Sequence, residues 1–161
     1  MRAIADLLDR FKRGAELIPV VIEGVSGPEA NYQIAPDVWT IRQIICHLAD
    51  SELVGAFRFR SVLAEDNPVL TAYDQDAWAR SLDYQRRDFR QALDSFRRIR
   101  CENWELLEPL PESAFQRTGN HTERGTLTLL DLLQIYTEHA EKHAQQIRKI
   151  RFQYKQSRAH A

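Results

Sequence analysis

Apolar residues recur at three- and four-residue intervals along four long stretches of this chain, the spacing that lines one face of an α-helix. The first stretch, from about residue 4 to 23, carries Ile4, Leu7, Leu8, Phe11, Ala15 and Ile18. Pro19 has no N–H and its ring meets the carbonyl of Ala15, which predicts a kink or break there. Gly24, Gly27 and Pro28 end the element, and a loop is expected as far as Val38. The second stretch has the clearest start. Thr40 can cap it while Gln43 reaches back, with Trp39 and Ile44 placed as a hydrophobic staple. Its stripe (Ile44, Ile45, Leu48, Val54, then Phe57 or Leu63) runs to about Glu65, where Asp66-Asn67-Pro68 stops it. About 25 residues at ~1.5 Å each make a rod of roughly 38 Å, the length of a bundle helix.

Val69 to Leu82 reads as a connection with one short helix. Its Tyr73, Asp74, Asp76 and Trp78 suit either a pocket wall or simple packing across the bundle end. The third long helix is expected from about Tyr84 to Leu107, with Phe89, Ala92, Leu93, Phe96, Ile99, Leu106 and Leu107, ended by Pro109 and Pro111. Glu112 to Gly125 is polar and loop-like. Thr128 then caps a fourth helix with Asp131 three residues on, flanked by Leu127 and Leu132. Its stripe is Leu132, Tyr136, His139, His143, Ile147, Ile150 and Tyr154. No strand-period segment, Asn-Gly hairpin or internal repeat is visible. The pattern predicts an all-α four-helix bundle in one domain, residues 1–155, with a frayed polar tail over 156–161. The two longer connections leave room for a crossover.

Composition narrows the function classes. A hydrophobic fraction of 43% and a charged fraction of 28% over 161 residues are ordinary for a globular domain. A net charge of -1 argues against nucleic acid or an anionic membrane as partner. No apolar run approaches the roughly 18–20 residues that span a bilayer, and the charged N-terminus is unlike a signal peptide. Cys46 and Cys101 both fall in helical patterns and suggest no disulfide framework. A cytoplasmic location is expected.

The chemistry concentrates in histidines. His139 and His143 are four residues apart, one helical turn, on an apolar seam. His47 falls on the inward side of the second helix, between Ile44 and Ser51. A lone inward histidine is commonly a satisfied core residue. Two buried imidazoles on one seam, with a third on a second helix, instead need partners for six ring nitrogens. If the helices are neighbours, three neutral nitrogens converge and leave a fourth position open, as in a catalytic zinc site.

The pair is not the zincin motif, because Ala140 follows the first histidine where that motif has Glu. Glu141 lies about 200° around the helix from each histidine and should face solvent. Asp50, three residues after His47, is the candidate to orient an imidazole or accept a proton, with a surface carboxylate as the plain alternative; Ser51 is similarly placed. Tyr136 could donate to a bound ligand or simply pack. Arg58 and Arg60 could attract an anionic substrate. Arg86, Arg87, Arg90, Arg97, Arg98 and Arg100 read as a solvated face. His121, in a polar loop, and His160, in the tail, stand outside the metal set, and Cys46 reads as a small core residue.

The stretch Val38-Trp39-Thr40-Ile41-Arg42-Gln43-Ile44-Ile45-Cys46-His47-Leu48-Ala49-Asp50-Ser51 resembles the DinB family, and within it the YfiT-like branch of metal-dependent hydrolases, which includes bacillithiol transferases. The likeness continues through Phe57-Arg58-Phe59-Arg60, Glu65-Asp66-Asn67-Pro68, Tyr73 to Ala79, Leu127-Thr128-Leu129 and the closing histidine pair. The family's metal ligands map onto His47, His139 and His143, none substituted. The resemblance implies a bundle with an unusual crossover, one divalent ion (zinc or nickel), a homodimer, and a small-molecule substrate, with S-transfer from a low-molecular-weight thiol the activity of near relatives. An ion held by neutral ligands lowers the pKa of a bound thiol or water. A thiol attacking an electrophile gives S-transfer, and a water attacking an acyl centre gives hydrolysis. The competing expectation is a non-catalytic bundle whose metal site is structural or vestigial, although a structural site should be closed by a fourth protein ligand.

Overall fold

A computed structural model describes residues 2–159. Its elements, in chain order, are α1 (Arg2–Ile22), α2 (Gly27–Ala30), α3 (Ile41–Ala64), β1 (Val69–Leu70), α4 (Gln75–Ser81), α5 (Phe89–Leu107), a 3-10 helix (Glu112–Gln116), β2 (Thr118–His121), β3 (Gly125–Thr128) and α6 (Leu129–Ala159). The four long helices α1, α3, α5 and α6 form the bundle. Each of α1 and α3 packs mainly on α5 and α6, so the consecutive helices α1 and α3 stand diagonally opposed. Cross-helix bonds fix the directions. Arg10 meets Glu141 and Arg151 meets the Val21 carbonyl, so α1 and α6 run parallel. Glu52 meets Arg100 and Arg60 meets Asn103, so α3 and α5 run parallel too. The connection 65–88 must therefore return along the whole bundle, and it carries β1 and α4 past the flank where the histidines lie.

The caps read from the sequence are present. Thr40 and Gln43 form the capping box of α3 in both directions. Thr128 and Asp131 exchange equivalent bonds at the start of α6. Three expectations are corrected. Of the kink or break expected at Pro19, the break does not occur: α1 runs on to Ile22, because Ile18, Val21 and Ile22 are core residues whose packing holds the last turn. The third helix starts at Phe89, since Asp88 caps it by accepting from the backbone N–H groups of Arg90 and Gln91. The stretch 118–128 is a hairpin, antiparallel between β2 and β3, with β1 added parallel to β2. Gly125 takes the positive φ of 73° that its turn requires. Residues 156–159 continue α6 as exposed helix; His160 lies outside the described residues.

The core is divided. One apolar cluster gathers Ile18, Ile44, Ile45, Phe96, Ala144 and Ile147, and a second gathers Phe11, Phe59, Val62, Leu132, Leu133 and Tyr136. Between them lies a polar layer. Arg100 is fully buried and corrects the expectation of a solvated arginine face: it donates to Glu52 at 2.6 Å, to the Tyr136 carbonyl at 3.1 Å and to the Phe11 carbonyl at 3.3 Å. Its guanidinium also covers the Phe11 ring at 4.1 Å. Asn103 donates to the other Glu52 oxygen at 3.1 Å. Gly14 makes room for it, because a Cβ there would sit 2.8 Å from Arg100 Nη1. Gly55 does the same for Tyr136, whose ring would lie 2.7 Å from an added Cβ. That contact brings α3 and α6 together one level below the histidines.

Candidate metal centre

The three histidines predicted from spacing do converge. His47, in the second turn of α3, places Nε2 2.9 Å from Nε2 of His139 on α6. His143, one turn further along α6, places its own Nε2 3.1 Å from that of His139. The donor atoms of all three lie within 4.8 Å of one another. Neutral imidazoles meeting edge to edge can share one proton between two nitrogens, but one proton cannot satisfy three converging ones. Around a tetrahedral zinc, nitrogens at ~2.05 Å from the ion are about 3.3 Å apart. The two separations at His139 are close to that spacing and all three donors lie within 4.8 Å, so the donor set fits one divalent cation.

The surroundings fix the rings. The Trp39 indole, the staple residue of α3, packs on His47 at 4.9 Å between centroids. His143 Nδ1 lies 3.0 Å from Gln146 Oε1; that oxygen only accepts, so Nδ1 carries the proton and Nε2 keeps its lone pair. Gln146 was not singled out from the sequence, although i,i+3 spacing on the same face is a usable signal for such a partner. Nδ1 of His47 is buried and has no partner.

Burial is the main reason the imidazoles stay neutral. It pushes His47 down to about 3 and His139 to about 2, in each case with added repulsion from His143. His143 is also lowered by burial, opposed by its bond to Gln146. The sign of the pH effect follows. Folded pKa values below the unfolded value of about 6.5 mean that the unfolded chain binds more protons. The metal-free protein should hold its stability above pH 6.5 and lose it as pH falls. The slope approaches about 1.4 kcal/mol per pH unit for each histidine kept neutral. Chemical denaturation between pH 7 and pH 5 checks this; a flat profile, with no such loss in that window, counts against buried neutral rings.

The remaining candidates separate. Asp50 is half-buried, and its Oδ2 accepts from the Tyr84 hydroxyl at 2.6 Å and from Arg87 at 2.7 Å. Its carboxylate is thereby committed to anchoring the segment before α5, and none of the hydrogen bonds among the described residues joins it to a site histidine. Glu141, as expected, points away and pairs with Arg10 at 2.7 Å. Arg60 turns to Ala56 and Asn103. Cys46 is buried and its thiol is raised to about 11 by desolvation, which keeps it protonated. Beside His139 opens a cavity of about 110 Å³ whose wall includes Ser51, Arg58, Tyr73, His121, Arg124 and Tyr136. Tyr136 is buried and pushed up to about 12, mainly by desolvation, so its hydroxyl stays protonated. His121 corrects its assignment to an open loop: it is buried on β2 and faces this cavity. The hairpin that carries it was missed because both its faces are polar.

Residues 10–147 match the model of the DinB superfamily. The chain belongs to the DinB superfamily. Among its relatives in that superfamily, a Halalkalibacterium halodurans protein named "Putative metal-dependent hydrolase" is 32% identical over 69% of this chain and 64% of its own length. YfiT of Bacillus subtilis, which carries the same descriptive name, is 30% identical over 70% of this chain and 64% of its own length. The matched region thus spans a little under two thirds of these relatives. The solved structure of YfiT, described as "a probable metal-dependent hydrolase with an unusual four-helix bundle topology", shares the fold at a TM-score of 0.87, over 93% of this chain and 86% of that one, at 23% identity. No described helix of this superfamily member is long and apolar enough to cross a membrane.

Proposed function

We propose that this chain is a metal-dependent enzyme in which His47, His139 and His143 hold one divalent ion, zinc or nickel, that activates a low-molecular-weight thiol for transfer to an electrophile. The observation that carries the reading is the convergence of three neutral Nε2 atoms, from buried His47 and half-buried His139 and His143, beside an open cavity. When bound, such an ion supplies Lewis-acid chemistry that brings the pKa of a thiol or a water toward neutrality. The chain's own residues do the rest. Trp39 shields His47 from solvent, and Gln146 holds the His143 tautomer with its lone pair free. Ser51, Tyr73 and Tyr136 offer hydroxyl groups along the cavity.

Thiol chemistry is favoured over hydrolysis by what the nearby carboxylates do. Glu52 is engaged by Arg100 and Asn103, and Asp50 by Tyr84 and Arg87, so both acids next to His47 on α3 are bonded to the α5 side. A hydrolase profits from a poised base to take the proton of water, whereas an acidified thiol loses its proton to solvent unaided. The names of the relatives support hydrolysis as the second reading. Zinc- and nickel-loaded protein screened with small thiols and a chromogenic electrophile separates the two. Turnover that requires added thiol is the expected result. Turnover with no thiol present replaces S-transfer by hydrolysis, and none under either condition leaves a structural site in a non-catalytic bundle.

A further inference from the structure

Arg58 is 8% exposed and lines the same cavity as His139. Its Nη1 donates to the Tyr136 hydroxyl at 3.1 Å and its Nη2 to the Thr71 carbonyl at 2.7 Å. Both acceptors are neutral. Nε is buried and has no partner. Buried and half-buried arginines elsewhere in the bundle meet carboxylates, among them Arg100 with Glu52 at 2.6 Å, Arg87 with Asp50 at 2.7 Å and Arg151 with Glu29 at 2.9 Å. Among the described residues, no carboxylate forms an ion pair with Arg58. A guanidinium does not give up its proton, so its charge persists where desolvation is strongly unfavourable unless a counter-charge arrives.

The wall around Arg58 is prepared to receive one. His121 Nδ1 accepts from the Glu123 N–H at 3.2 Å, which places the proton of the neutral ring on Nε2 as a donor. Arg124 adds a second guanidinium, and Ser51 and Tyr73 contribute hydroxyls. Glu123 is the opposing charge on the wall; its side chain is exposed and makes no ion pair with Arg58. A planar carboxylate takes parallel N–H bonds from a guanidinium, and about 110 Å³ accommodates it with a short carbon chain. We propose that this cavity binds the carboxylate of the substrate on Arg58, assisted by His121 and Arg124, beside the imidazole of His139. The word substrate rests on the metal-enzyme reading above; the carboxylate site does not.

The test uses propionate as probe, with propionamide and matched sodium chloride as controls. In 15N–1H spectra of the metal-free and zinc-loaded protein, propionate should shift the Arg58 Nε–H and the Glu123 amide saturably, and the controls should not. Arg58→Gln should abolish the saturable shift and leave the thermal midpoint unchanged or raised, because an uncompensated charge has been removed. Arg58→Lys, which keeps the charge without the fork, should weaken binding about tenfold; it carries the test if Arg58→Gln does not fold. In the loaded enzyme, Arg58→Gln should raise KM for 3-mercaptopropionate about tenfold while leaving 3-mercapto-1-propanol unmoved. No saturable shift in wild type, or the same shift in both variants, overturns the proposal. Saturable binding without turnover of either thiol leaves the site standing and removes the metal-enzyme reading.

Discussion

His139→Ala is expected to abolish stoichiometric zinc binding while the helical content is kept. His139 is the central candidate ligand, with Nε2 2.9 Å from that of His47 and 3.1 Å from that of His143. Loss of a residue that merely orients a ligand costs about 10–100-fold in metal affinity, so loss of the central ligand should exceed the upper end of that range. Gln146→Ala, which frees His143 Nδ1, should fall inside it. Thermal unfolding gives the second readout. Zinc at 100 times its dissociation constant stabilises the native state by about 2.7 kcal/mol, roughly 5–10 °C for a domain of this size. Wild type should show that rise and His139→Ala none. Equal zinc affinity in the two proteins would place the ion elsewhere and dissolve the three-histidine site.

Glu52→Ala should produce the largest loss of stability expected from a single substitution here. Glu52 and Arg100 are both buried, at 1% and 0% exposure, and meet at 2.6 Å. Removing the carboxylate strands a guanidinium in the middle of the bundle, which costs about 3–5 kcal/mol and lowers the midpoint by on the order of 10 °C. Asn103 loses its acceptor in the same step. The double variant Glu52→Leu, Arg100→Met should recover most of that loss, since an apolar pair of similar volume is often no worse than a buried ion pair. A Glu52→Ala penalty below about 1 kcal/mol, the range of an exposed pair, would mean that water reaches the layer. The pair also matters for the site: Arg100 holds the Tyr136 carbonyl one turn before His139, and Glu52 lies just beyond His47.

Arg100 shows why the polar layer was hard to read in one dimension. Its charge and its arginine neighbours argue for a solvated face. Yet Phe89, Ala92, Phe96, Arg100, Asn103 and Leu107 are the buried positions of α5 and share one helical stripe. The periodicity was present; only residue type spoke against it. The hairpin is a different case. Thr118-Gly119-Asn120-His121 and Gly125-Thr126-Leu127-Thr128 are too short and too polar to show alternation, and the pairing of β2 with β1 joins Val69 to Asn120 and Leu70 to His121, far apart in the chain. His121 therefore reached the cavity unannounced. Asp50 is a third case: the sequence places it within one turn of His47, and its partners Tyr84 and Arg87 come from a segment more than 30 residues away, which the order of residues does not bring to it.

By itself, the sequence determined what is local: the starts of α3 and α6 through Thr40-Gln43 and Thr128-Asp131, the inward stripes, and the i,i+4 pair His139 and His143 on one face. These follow from backbone geometry and side-chain reach within a few residues. The apolar stripe of α3 placed His47 on its inward side in the same way, and the family likeness joined the three histidines as one ligand set. Only the tertiary structure decided that α3 lies beside α6 in antiparallel sense, that Gly55 lets Tyr136 approach, and that Glu52 meets Arg100. It alone left Arg58 facing a cavity with no carboxylate paired to it among the described residues. Desolvation decides which of these charged groups is a surface ornament and which is a site, and desolvation depends on neighbours that the order of residues does not bring together.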